Sequence, residues 1–443
     1  MHPLNVLLID IEGLALDFAI RCAAAGHKVR WFKVDEKGLH RDGEGFTGFQ
    51  SIRDWRSSMQ WAKDGLIWCS GNFRYMAELD RYRDFGYKIF APTVASALLE
   101  IDRAAGMEAM KSAGIDLPHY ETFDNLSAAA KFARKSDKAY VFKTMGDEGD
   151  KSLSYVSSDP ADLVGWIEQR IKRGIKLKGK CMLQEKIDMV AELGVSGWFG
   201  PEGFLPGKWQ LCFEHKKLMP GEIGPNTGEQ GTVCQYNETD KMATDLLMPM
   251  VKALKKIGHR GDFAVGCGID KAGKAWPFEF TARMGWPAFY IQCASHEGDP
   301  AQWMRDLLDG KDTLKVSPDC AIGVVCAQPK YPYKISKPEE VEGNPIAGAE
   351  KVMDDLHFAS VMRGTGPTMK GGKVVDGPIY QTTGEYVLVA TGLGKTVAKA
   401  RKKVYSVVDE IGFPNIMFRN DIGDKVEEIL PELHALGYCE NLE

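Results

Sequence analysis

The stretch Arg260 to Pro287, RGDFAVGCGIDKAGKAWPFEFTARMGWP, constrains this chain more than any other. Two apolar runs, Phe263 to Ile269 and Ala275 to Phe280, flank the turn Asp270 to Lys274, whose Gly and Asp suit a short hairpin loop. A strand sends alternate side chains to opposite faces. Glu279, Thr281 and Arg283 therefore share one face, while Phe280 enters the core. A carboxylate beside a hydroxyl offers oxygen ligands to a hard cation such as Mg²⁺. An arginine two residues on brings a planar fork that fits phosphate or carboxylate oxygens. An ordinary hairpin with a solvated polar face reads the same way on these residues alone.

At 443 residues the chain exceeds one hydrophobic core, and two to three domains are expected. Hydrophobic and charged fractions of 44% and 26% are those of a folded soluble protein. A net charge of −5 gives no global basic field for nucleic acid. The ten cysteines form no Cys-x-x-Cys pair and no zinc spacing; they read as small buried hydrophobes of a reducing, cytoplasmic protein. The N-terminus has neither the basic region nor the long apolar segment of a signal peptide, and no run approaches a membrane span.

The first hundred residues alternate strand and helix: Asn5 to Ile9, Leu14 to Ala25, Lys28 to Phe32, Gly65 to Cys69, Tyr87 to Phe90. That spacing predicts a small doubly wound parallel domain. Its first turn, DIEGLA, holds one glycine, Gly13, which argues against a dinucleotide fingerprint and hence against a nicotinamide dehydrogenase. One helix is expected over Val94 to Ala113. Then AYVFK, Ala139 to Lys143, reads as a strand ending in a lysine. A polar loop with Gly146, Gly149 and Lys151 follows, then a strand to Val156, a helix from Asp159 to Gly174 and the strand KCMLQEKI. That order predicts a compact α+β lid. GEIGPNTGEQG, Gly221 to Gly231, excludes a regular helix and is expected as a functional loop with exposed backbone N–H groups suited to an anion.

Taken together, these segments resemble glycinamide ribonucleotide synthetase, the phosphoribosylamine–glycine ligase family of the ATP-grasp superfamily. The resemblance runs from about Gly86 to the C-terminal region. It is carried by KIFAPT (Lys88 to Thr93), AYVFK, EHKK (Glu214 to Lys217), GPNTG (Gly224 to Gly228), GIDKAGKAWPFEFTAR and FRNDIG (Phe418 to Gly423). It implies an α/β and α+β chain: a doubly wound N-terminal domain (1–100), an ATP-grasp domain (101–325) with a lid at about 118–190, and a small α+β C-terminal domain (326–443). It further implies a cytoplasmic ligase, monomer or homodimer, that uses ATP and Mg²⁺ or Mn²⁺ to join an amino acid, glycine foremost, to an amine. No membrane or nucleic-acid partner is implied. By resemblance, Arg103, Lys143 and Lys151 contact the ATP phosphates, Glu185 borders adenine and Glu192 accepts from the ribose. Glu279 and Thr281 hold the metal, Thr281 standing where the family has Asn. Arg283 faces the transferred phosphate and, with Lys143, is catalytic. His215, Lys216, Asn226, Thr227 and Gly228 hold substrate.

The departures fall on the substrate side. DIEGLALDF stands in place of the family's Gly-rich first turn, SGNFR in place of a Gly-Pro-Glu loop, and Trp286-Pro287-Ala288 in place of Asp-Pro-Glu. Asp10 and Glu12 would repel a ribose phosphate, and Trp286 offers a flat surface for a ring. Three readings follow: the glycinamide ribonucleotide ligase, a ligase of the same ATP chemistry acting on a larger, flatter amine, and a nucleotide-binding protein without activity.

Overall fold

The computed structural model describes residues 2–34, 41–145, 153–333 and 336–443. Five parallel strands build the N-terminal sheet in the order Phe49–Ile52, Lys28–Lys33, Asn5–Asp10, Leu66–Cys69, Ile89–Phe90. Helices Leu16–Ala24 and Met76–Asp84 bury apolar stripes, as the alternation predicts.

The centre is a nine-stranded sheet. Its path runs Ala275–Thr281, Gly261–Asp270, Met189–Gly200, Trp209–Glu214, Gly231–Asn237, Cys320–Ala327, Tyr386–Gly394, Leu356–Phe358, and the ninth strand, Gly203–Phe204, pairs with Met189–Gly200 off this path. Strands from the region beyond residue 325 thus continue the sheet that begins with the Arg260–Pro287 hairpin. An aromatic knot fastens the N-terminal sheet to it: the rings of Phe90, Trp198 and Trp303 lie 4.9–6.0 Å apart. A buried indole removes roughly 150–250 Å² from water, or about 4–6 kcal/mol before entropy costs. Trp198 also donates its indole N–H to the Tyr236 hydroxyl at 2.9 Å, so its polar edge is satisfied.

A separate four-stranded antiparallel sheet, in the order Tyr120–Phe123, Cys181–Glu185, Tyr140–Thr144, Tyr155–Val156, carries helices Leu126–Ala133 and Pro160–Lys172. It has its own core around Phe142, Leu163 and Ile167, with Tyr155 stacked on Trp166.

Two expectations about local structure are corrected. Val94 to Ala113 is not one helix but two, Val94–Ile101 and Arg103–Ser112. Asp102 is extended (φ −101°, ψ 102°), and its carboxylate caps the second helix through the N–H groups of Ala104 and Ala105. The two helices meet closely at Gly106, where a Cβ would stand 2.4 Å from the Leu99 carbonyl. The GPNTG segment is not wholly irregular. Ile223–Asn226 is a strand that pairs antiparallel with Lys217–Met219.

Candidate functional site

The break at Asp102 has a functional result. It aims Arg103 at the four-stranded sheet, where its Nε donates to the Thr144 carbonyl at 3.1 Å. Lys143, on the same strand as Thr144, donates from Nζ to Gln184 Oε1 at 2.7 Å. Glu279 lies across from them, 3.9 Å from the Arg103 guanidinium. These residues line a cavity of about 250 Å³, together with Glu185, Glu192, Met189 and Phe278. It therefore has two cations at one end and apolar side chains along a wall, which suits a flat ring joined to an anionic chain. Lys151, expected here, lies outside the described residues.

Burial, with Arg103 adding to it, lowers the Lys143 ammonium to about 8, while Glu279 and Glu192 pull it back up. A polyphosphate seated in this cavity would bind the charged lysine. Its affinity should therefore fall as pH rises through 8, by roughly tenfold between pH 7 and 9 if only the ammonium form binds. Around pH 8 to 9, binding should take up a proton, which calorimetry in buffers of different ionisation enthalpy reads directly. A flat profile with no proton uptake would place the phosphates away from Lys143.

A second cavity, of about 200 Å³, adjoins the first at Glu279. Its floor is one face of the large sheet, and strand register explains its lining. Thr281, Ala264, Ser196 and Gln210 are aligned in one row across four strands. Glu279, Gly266, Gly194 and Cys212 form the next. All eight line the cavity. A Cβ added at Gly194 or Gly266 would have no neighbour closer than 3.7 Å, so the two glycines leave the hollow open. Arg283, Trp286, Lys216 and Gly228 complete its rim. The alternation Glu279, Thr281, Arg283 thus presents one face, and Phe280 is 2% exposed in the core.

Arg283 is oriented from behind. Its Nε lies 3.3 Å from Glu100 Oε1, and Glu100 Oε2 also accepts from Asn72 Nδ2 and the Ala282 N–H, each at 2.7 Å. Lys216 is 2.9 Å from Glu214 and 3.5 Å from Glu192, and Glu214 foremost holds it charged.

The other residues expected on the substrate side are placed differently. His215 is buried and lines neither cavity; its Nε2 accepts from the Gly423 N–H at 3.4 Å, tying EHKK to FRNDIG. Burial keeps this imidazole below its ordinary pKa. Asn226 is exposed on the hairpin, and the Thr227 hydroxyl donates to the Lys216 carbonyl at 2.9 Å. Of GPNTG, only Gly228 reaches the second cavity. The N-terminal turn also departs from expectation. Asp10 is not presented outward; it is fully buried and accepts from the N–H groups of Gly13, Leu14 and Ala15 and from the Trp31 indole at 2.9–3.2 Å. Burial raises its carboxyl, and those donors with Lys33 pull it back. The trace of this in the sequence is an acid at the end of the first strand, three residues before the only glycine of the turn.

Comparison with known proteins agrees with the geometry. Residues 321–425 match the family described as Phosphoribosylglycinamide synthetase, C domain. The chain is 26% identical over 357 residues to the phosphoribosylamine–glycine ligase of Neisseria meningitidis serogroup B, covering 78% of this chain and 81% of that one. The crystal structure of phosphoribosylamine–glycine ligase from Thermotoga maritima superposes with a TM-score of 0.69 at 20% identity, over 95% of this chain and 100% of that one. N5-carboxyaminoimidazole synthetase from Staphylococcus aureus complexed with ADP gives a TM-score of 0.55 at 13% identity, over 98% of each chain.

Proposed function

We propose that this chain, an ATP-grasp protein similar over most of its length to the phosphoribosylamine–glycine ligases, is an ATP-dependent carboxylate–amine ligase that forms an amide through an acyl phosphate. The observation that carries the reading is the pair of cavities meeting at Glu279. One is suited to a nucleotide, the other is fronted by Arg283 and floored by a polar sheet face. The same reading places the nucleotide-gripping domain at 101–325 and its lid at about 118–190, and it makes the protein cytoplasmic. Among the described residues no helix is long and apolar enough to cross a membrane.

The substrate carboxylate oxygen attacks the γ-phosphorus of ATP, the bond to the β-phosphate oxygen breaks and ADP leaves. The amine nitrogen then attacks the acyl carbon, phosphate departs and the nitrogen loses a proton. The protein's part is positioning and charge neutralisation. Lys143 and Arg103 meet the phosphates, Arg283 meets the transferred group, and the lid excludes water. Glu279 and Thr281 would hold Mg²⁺. Among the described residues no three His, Cys, Asp or Glu side chains converge as a metal site. One carboxylate beside a hydroxyl fits a hard cation that takes its other ligands from phosphate oxygens and water. When bound, such an ion neutralises charge developing on the phosphate.

Glycine is the first candidate for the amino acid, from the relatives' activity. The amine is a different matter. Asp10 occupies the amides that a ribose phosphate would need, which favours an acceptor other than phosphoribosylamine. The test is ATP turnover with hydroxylamine as the trapping amine. Hydroxamate should form with one member of an amino-acid panel, and phosphoribosylamine should be a poor acceptor in the same assay. Absence of hydroxamate with every amino acid would overturn the ligase reading. Turnover with phosphoribosylamine at about 1–10³ per second would restore it as the acceptor.

A further inference from the structure

The far end of the second cavity is built of hydrogen-bond acceptors that the steps above do not use. Asp262 lies two residues beyond Ala264 on the same strand face, 4% exposed. Its Oδ1 has no hydrogen-bond partner among the described residues. Gln292, from the helix Ala288–Ser295 that closes this end, is 1% exposed; its amide donates to the Gln210 carbonyl oxygen, leaving its own Oε1 without a partner. Elsewhere in the lining, near Glu214, Cys212 and Lys216, Glu229 is 5% exposed and presents a third such oxygen, Oε1. All three side chains line the cavity. A buried acceptor without a donor costs free energy, so three around one hollow need an account.

We infer that this end of the cavity binds the acceptor substrate through a second nitrogen, an ammonium, amidinium or exocyclic amine whose N–H groups fill Asp262 Oδ1 and Gln292 Oε1. This rests on the ligase reading above and specifies the acceptor for it. The charges lean the same way. Four carboxylates, Glu214, Glu229, Asp262 and Glu279, border the cavity against two cations, Lys216 and Arg283. Both cations are already engaged with carboxylates, Lys216 with Glu214 and Arg283 with Glu100. Burial pushes the Asp262 carboxyl up to about 7 and the Glu229 carboxyl well above its ordinary range. Hydrogen bonds from Gln292, Ser196 and the Phe263 N–H already pull the Asp262 carboxyl back down, and a charged N–H group at the open Oδ1 would favour its ionised form further. Asp262 sits two strand residues from the Thr281 row, ~7 Å at the rise of a strand. A reacting nitrogen over the Thr281 row would therefore be separated from the second nitrogen by a short linker or one ring.

The test compares 1,4-diaminobutane with 1-butylamine, which differ only in the second nitrogen, by calorimetry on the full chain with ATP and Mg²⁺ present. The diamine should bind at least tenfold more tightly, the value of a charge-assisted hydrogen bond to a buried carboxylate. Asp262→Asn should reduce that preference to threefold or less. Should Asp262→Asn fail to fold, Gln292→Met removes the other acceptor and carries the same comparison. Equal binding of the two amines, binding of neither, or a preference unchanged in the variant would overturn the inference. Hydroxamate formation by the wild-type chain is read separately, since hydroxylamine has no second nitrogen. A failure there strikes the ligase reading, whereas loss of diamine preference alone strikes only the acceptor site.

Discussion

Glu279→Gln should yield a folded protein that has lost acyl-phosphate formation by about 10²–10³-fold, the range seen when one preorganised electrostatic contact is removed from a reacting centre. Glu279 is the one residue that borders both the Lys143 cavity and the Arg283 cavity among the expected site residues, so in the proposed reaction it stands where the phosphate would pass. Its side chain is 45% exposed and its strand neighbour Phe280 does the packing, so the fold does not depend on its charge. The isosteric amide keeps shape and hydrogen-bonding capacity while removing the anion that a hard cation needs. The check is hydroxamate yield at saturating ATP, alongside thermal unfolding. Wild-type yield from the variant would reject Glu279 as the metal carboxylate.

A second large effect is expected one layer back. Glu100→Ala should cost about 3–5 kcal/mol of stability, because it removes one side of a buried charged pair. It takes the acceptor from Asn72 Nδ2 and the Ala282 N–H and the carboxylate from Arg283 Nε, whose Nη1 still donates to the Met284 carbonyl. Those donors come from the loop at Asn72 and from Ala282–Arg283, just past the strand Ala275–Thr281, so Glu100 ties two segments to its own helix at one carboxylate. It acts on the reaction only by positioning Arg283. In whatever fraction folds, turnover should fall by about 10–10²-fold, while ATP affinity, set at Lys143 and Arg103, stays within about twofold. Glu100→Asp should recover part of both losses. Loss of ATP affinity in parallel with turnover would mean that Glu100 merely supports the fold.

The Arg260–Pro287 hairpin and the Lys-ended strand were legible because their signals are local. Alternation over a few residues decides which side chains share a face, and a short turn decides the pairing. The doubly wound N-terminal sheet was legible for the same reason. The acceptor end of the second cavity was not. Ser196, Gln210 and Asp262 meet through antiparallel register between strands far apart in the chain, and a one-residue slip in any pairing would send them to the other face. Asp262 did leave a trace, an acid heading an otherwise apolar strand. The break at Asp102 was hidden by good helix formers on both sides; only close contact at Gly106 and the cap reveal it. The long hairpin of Val361–Lys370 and Lys373–Thr382 was missed because its residues are largely exposed on both faces and punctuated by glycine, so no period of two survives.

The Asp10 turn bears on product inhibition. Each turnover of the proposed reaction releases inorganic phosphate, and a turn with vacant amides at the end of a parallel strand would be a natural second resting place for it. Here those amides are engaged by a carboxylate from the same chain, held within 3.2 Å and sealed from water. A free anion cannot displace a ligand that is covalently part of its receptor without unfolding the turn. Competition by phosphate is thereby confined to the nucleotide side, around Lys143 and Arg103, and should be relieved by ATP alone.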